Sequence, residues 1–127
     1  DYSLDKIDNN VSILGLLKEI PFSNENIAMH IAPFRDEPYG MTIVEAQYAG
    51  VPVVASNLCA VLHDDIIQFG HVVNDPDDID EWVNKINKVS KLSASQGKIQ
   101  EVRNFFDNRH SPILNAQLLV SACNNIL

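Results

Sequence analysis

The chain has 127 residues, with Lys+Arg 9 against Asp+Glu 17 and a formal charge of -8. That length sustains one core, with net stability of roughly 5–15 kcal/mol. The acidic balance removes the counterion-release term behind general nucleic-acid binding and the attraction to anionic lipid. The apolar runs, of which Val51 to Ser56 is typical, fall far short of the roughly 20 residues a membrane span needs, and no signal peptide opens the chain. The composition therefore points to the cytoplasm. The start at Asp1, without an initiator Met, gives the expectation of a processed or excised piece of something longer.

Short apolar runs alternate with helix-length stretches. Val11–Leu14 stops at Gly15, and Met29–Phe34 runs into Arg35-Asp36-Glu37-Pro38. Val51–Ser56 follows Gly50, and His71–Val73 follows Gly70 and ends at Asn74-Asp75-Pro76. Continuously apolar short strands suit a parallel sheet covered on both faces by crossover helices. Helices are predicted over Ser23–Ile27 and Gly40–Ala49, and more weakly over Cys59–Phe69.

Beyond the last strand the pattern is helical. Asp77-Asp78 opens a helix whose apolar face carries Ile79, Trp82, Val83, Ile86 and Val89, with Lys85, Lys88 and Lys91 on the solvated side. Ser93 or Ser95 caps a second helix with Ile99, Val102, Phe105 and Phe106. Ser111-Pro112 starts a third, with Ile113, Leu114, Leu118, Leu119, Ala122 and Ile126 as its apolar positions. The expected fold is α/β: a Rossmann-like three-layer α/β/α arrangement with about four parallel strands and a helical C-terminal tail. Residues 1–76 would form the α/β core and 77–127 the tail.

The segment from Ala32 to Ser56, APFRDEPYGMTIVEAQYAGVPVVAS, reads as strand, tight loop, helix, Gly50 stop and strand. In an open parallel sheet, ligands sit where strand carboxyl ends enter helices, which places the Arg35–Gly40 loop at a binding edge. Gly40 permits close backbone approach, and the N–H groups of Met41, Thr42 and Ile43 suit a phosphate. Glu45 carries a charge among Ile43, Val44 and Ala46, and a carboxylate can accept both hydroxyls of a ribose. On spacing alone, Glu37 and Glu45 are equally read as acids favoured at a helix start by the macrodipole.

The pattern Glu37-x7-Glu45, within E-P-Y-G-M-T-I-V-E-A and followed by A-G-V-P-V-V-A-S, resembles the nucleotide-sugar-binding signature of retaining GT-B glycosyltransferases, in particular glycosyltransferase family 4. The resemblance implies half of a GT-B fold. It implies a C-terminal donor domain of a hexosyltransferase that uses a UDP- or GDP-linked sugar without cofactor or metal, as in surface polysaccharide or glycoconjugate assembly. Glu37 would be the catalytic-side carboxylate at the donor sugar, and Glu45 would take the ribose hydroxyls. Backbone around Tyr39, Gly40, Met41 and Thr42 would meet the sugar and diphosphate, and Gly15 and Leu16 would lie beside the nucleobase.

The same resemblance implies an N-terminal acceptor domain and an upstream Arg/Lys pair, neither contained in these residues, so the 127 residues alone are expected to be inactive. The parent would be cytoplasmic, peripheral to the inner face of the membrane.

Departures from the family pattern lie at Phe34, Pro38 and Asn57 to His63, and they favour a second reading, a non-catalytic binding or assembly module of the same fold. A third reading, a flavodoxin-like single domain, lacks the loop it needs after the first strand. Lys18 and Arg35 are the nearby cations; Arg35 is either a phosphate ligand or a surface residue of its loop. His30 is expected to be a satisfied core histidine, Cys59 and Cys123 buried free thiols, and no zinc site is read from His63, His71 and His110. An uncovered sheet edge would favour a homodimer.

Overall fold

The computed structural model describes residues 10–12, 14, 15, 17, 18, 20–22, 26–36, 39–58, 67–113, 116, 117, 120 and 121. Its elements in chain order are β1 (His30–Ala32), α1 (Met41–Tyr48), β2 (Val53–Ser56), β3 (Gly70–Val73), α2 (Ile79–Val89) and α3 (Gln96–His110). The strands form one sheet in the order β1-β2-β3. Both pairings are parallel, with Ile31 opposite Val54 and Val54 opposite His71.

The middle strand explains the layering. Side chains alternate along a strand, and all of β2 is buried. Val53 and Ala55 pack with Ile43 and Ala46 of α1, alongside Ala32, Val51 and Phe22. Val54 turns the other way and packs with Val73, Trp82 and Val89, so α2 covers the opposite face. Two covered faces leave no solvent side, which is why VVAS has no polar alternation until Ser56. The α3 helix adds to the α1 side: Val102 and Phe106 close over Val44 and Phe69. Arg103 fastens it there, donating from Nε to the Tyr48 carbonyl at 2.9 Å and lying 5.5 Å from the Tyr48 ring centroid. A cation at the last turn of α1 also suits that helix end electrostatically.

The helix boundaries follow local chemistry. α1 ends in a Schellman motif: Gly50 N–H donates to the Gln47 carbonyl and Val51 N–H to the Ala46 carbonyl, both at 2.9 Å. Gly50 holds the required left-handed φ of 87°. Asp78 caps α2 by accepting from Glu81 N–H at 3.0 Å, and Ser95 caps α3 by accepting from Lys98 N–H at 3.2 Å.

Four expectations change. The fourth strand, Val11–Leu14, is absent among the described residues: Val11, Ser12 and Leu14 lie outside the sheet, with Val11 and Leu14 exposed. Of the Ser23–Ile27 helix, Asn26 and Ile27 are a turn and an irregular residue. The apolar face of α2 is rotated from the predicted stripe: Trp82 and Val89 are buried, whereas Ile79 and Val83 are exposed. Lys85 correspondingly sits half-buried at the sheet flank, 3.7 Å from Glu81. The helix turns toward the sheet around Trp82, whose indole N–H must reach an acceptor and donates to the Pro76 carbonyl at 3.1 Å. Finally, His30 packs edge-on against Phe22, but its Nε2 is buried without a partner, and burial pushes its pKa down. Cys59, His63 and Cys123 fall outside the described residues.

Candidate functional site

The carboxyl ends of all three strands open on one edge, carrying the loop from Pro33 to Gly40, the residues after Ser56, and the turn from Asn74 to Asp78. Several contacts build that edge. The Ser56 hydroxyl donates to the Phe34 carbonyl, pinning the exit of β1 to the end of β2. Asn57 donates from its N–H to the Val73 carbonyl at 2.9 Å and from its side chain to the Asn74 carbonyl at 2.6 Å. The Glu81 carboxylate accepts from the N–H groups of Asn74 and Asp75 and from the Asn74 side chain, each at 3.0 Å. The backbone bonds from Asp75 and Asn74 hold Glu81 below the usual carboxylate range. Arg35 of the first loop forms an ion pair with Asp77 of the third, and that pairing lowers the Asp77 pKa.

Gly40 opens α1 in a left-handed conformation, φ 70° and ψ 45°, with no side-chain cap. Its carbonyl accepts from Ile43 N–H at 2.9 Å and Val44 N–H at 3.4 Å. The N–H groups of Met41 and Thr42 have no intrahelical acceptor, by the geometry of any helix start, and they face the carboxyl edge. The expectation that Ile43 would share in such a phosphate cradle is therefore narrowed, because its amide is spent inside the turn. Thr42 Oγ1 is buried there without a hydrogen-bond partner.

Glu45 is exposed although Ile43, Val44, Ala46 and Gln47 around it are buried. It stands one turn beyond Met41, about 6 Å along the helix axis. That is the reach of a ribose and its 5′-methylene from a phosphate at the helix start. Tyr39 and Met41 are exposed, and Gly40 is buried. Gly15 has a left-handed φ of 71° and open space where a Cβ would stand. Glu37 and Leu16 lie outside the described residues. On the outer flank of α1, Met41, Val44 and Tyr48 line a cavity of about 330 Å³ with Phe106 and Asp107 of α3.

Gln47 was not singled out in the sequence. It is fully buried, and its Oε1 accepts from the N–H groups of Gln68 and Phe69 at 2.9 Å each, while its Nε2 donates to the Ile43 carbonyl at 3.2 Å. It ties α1 to the chain entering β3. The signal was available: a polar amide one turn after Ile43, on the face that packs inward, has to find partners. The described residues hold no cluster of three or more His, Cys, Asp or Glu suited to a metal ion.

A parallel sheet covered by helices, with a glycine-opened helix at its carboxyl edge, defines a Rossmann-like α/β domain. The profile of the family Glycosyl transferases group 1 matches residues 5–104, and the chain belongs to that family. No curated protein and no solved structure matches it. Among the described residues, no helix is long and apolar enough to cross a membrane.

Proposed function

We propose that this chain is the C-terminal donor-binding part of a retaining, family 4-like hexosyltransferase. The donor is a UDP- or GDP-linked sugar, and the acceptor a glycan, a lipid or another hydroxyl compound. Glu45 holds the ribose hydroxyls, the Met41 and Thr42 amides meet the diphosphate, and backbone at Tyr39 and Gly40 meets the sugar. Glu37 has the catalytic role at the donor sugar, and Gly15 and Leu16 have the nucleobase role. The reaction needs the glycosyl–phosphate bond to break, and the helix start stabilises the charge that develops on the departing diphosphate. No metal or further cofactor enters this reading.

The observation that carries it is the exposed Glu45 one turn beyond Met41, in the helix that the left-handed Gly40 opens at the carboxyl edge of a parallel sheet. Calorimetric titration of UDP and GDP tests it. Glu45→Ala should weaken the preferred nucleotide by about 10- to 100-fold, the worth of hydrogen bonds to a charged group. Because Glu45 is exposed, stability should stay within about 0.5 kcal/mol. Unchanged affinity sinks the assignment.

Transfer in this reading also requires an N-terminal acceptor domain, so the 127 residues bind donor without turnover. We place the reaction in the cytoplasm, at the inner face of the membrane where the acceptor is a lipid. The alternative, a non-catalytic binding or assembly module, draws on the acidic edge and the altered segment from Asn57 to His63. Donor affinity without transfer by the parent protein would select it. Among the described residues no strand pairs with the outer edge of β1 or β3, which supports a homodimer formed by strand addition.

A further inference from the structure

Among the described residues that follow the three strands, 33–36, 39, 40, 57, 58 and 74–78, Arg35 stands as the one Lys or Arg against the carboxylates Asp36, Asp75, Asp77 and Asp78. Arg35 leaves the first strand and Asp77 follows the third, so their ion pair crosses over the carboxyl end of β2. That spans two strand spacings, about 9.5 Å, at the edge where ligands enter such sheets. Both side chains are largely exposed, 66% and 72%. An exposed pair of this kind has little net worth, because water and salt compete for both charges. A diphosphate presents a planar guanidinium with more charge and more acceptor oxygens than one carboxylate does.

We propose that Arg35 is a diphosphate ligand held in reserve, and that Asp77 is an intramolecular competitor that the incoming diphosphate displaces. The inference rests on the donor-binding reading above and deepens it. Arg35 lies on the loop that leads into Gly40, so exchange of partners brings the cation of that loop to the same anion that the α1 amides face. Asp77, released, returns to solvent at no cost in buried charge. The edge then carries a strap in the empty state and a clamp in the loaded state.

The test is calorimetric titration of UDP, GDP and inorganic diphosphate into the wild type, Arg35→Ala, Asp77→Asn and the double variant, with Asp80→Asn as a control of equal charge change. Arg35→Ala should weaken UDP or GDP and inorganic diphosphate by about 5- to 20-fold. Asp77→Asn should tighten them by about 2- to 5-fold, the worth of an exposed pair, and the gain should vanish when Arg35 is also replaced. Equal tightening by Asp80→Asn, or a gain that survives in the double variant, reduces the effect to bulk charge and overturns the exchange. Nucleotide binding that ignores Arg35 overturns the exchange but leaves the donor reading standing. Failure of both UDP and GDP to bind the wild type removes the donor reading and the exchange with it.

Discussion

Replacing Gln47 by Met keeps the length and most of the volume of the side chain but removes its acceptor. In the native chain Gln47 Oε1 takes the N–H groups of Gln68 and Phe69, and the residue is fully buried. Phe69 is buried too, so its amide would be left without water or partner, at about 1–3 kcal/mol. Gln68 is half-exposed and can recover water, which puts its loss near the low end, about 0.5–1 kcal/mol. The Ile43 carbonyl keeps its place in the helix and adds little. The sum is about 1.5–4 kcal/mol for Gln47→Met, a large share of the stability of a domain this size. Gln47→Ala adds a cavity and should cost roughly 1–2 kcal/mol more. The single tryptophan, Trp82, is buried under α2 and reports unfolding by its fluorescence in urea. A Gln47→Met midpoint indistinguishable from wild type would refute the reasoning, because it would mean the amide bonds carry no net stability.

Gly70 has a φ of 151°, and a Cβ there would stand 2.0 Å from the Val53 carbonyl oxygen, so Gly70→Ala should destabilise by more than about 2 kcal/mol, read by the same fluorescence melt. Ser95→Ala removes the α3 cap and should cost about 1 kcal/mol in urea denaturation. Burial lowers the pKa of His30, and burial with Lys85 and Lys88 lowers that of His71. Below the ordinary histidine value of about 6.5 the unfolded chain therefore binds more protons than the folded one, so stability is full above that pH and falls as pH drops through the folded values. Urea midpoints at pH 7.5 and 5.5 check the sign, and His30→Leu should flatten the slope. Light scattering across micromolar concentrations should show a dimer if a sheet edge is used, and a clean monomer would count against it.

The parts of the fold that could be read from sequence are those set by local chemistry. Gly50 as a helix stop, the helix opening at Asp77-Asp78, a serine cap at Ser93 or Ser95, of which Ser95 is the one used, and the buried VVAS strand each follow from a residue's own conformational or hydrogen-bonding needs. What could not be read depended on partners distant in sequence. Ile79 and Val83 satisfy the helical period as well as Trp82 does, but the period leaves open which part of a wide apolar arc meets the sheet. The choice falls to Trp82, which needs the Pro76 carbonyl, and to the neighbours of Val54 and Val73. Val11–Leu14 has strand composition without a strand role among the described residues, because pairing is a property of two segments. The site divides the same way: the Gly40 opening and the Glu45 exposure were legible in one loop and one helix, whereas the Arg35–Asp77 pair joins positions 42 apart.

In the donor-binding reading, that long-range pair bears on how an acidic chain would serve an anionic ligand. With a formal charge of -8, the mean field of the protein repels a nucleotide diphosphate. Affinity must then come from groups whose charge is fixed in direction and close at hand, since beyond about 10 Å at 0.1 M salt the background is screened. Two such groups belong to the carboxyl edge: the amides opening α1 after Gly40, whose partial charge does not titrate, and the guanidinium of Arg35 on the loop before it. The neighbouring carboxylates would collapse onto that cation if nothing organised them. Asp78 is committed to the α2 cap and Glu81 to the amides of Asn74 and Asp75, while Asp77 takes Arg35 itself. Each acid that serves the scaffold is one fewer competitor for Arg35, so in the proposed exchange the hydrogen bonds that shape the turn after β3 would limit how many carboxylates a diphosphate has to displace.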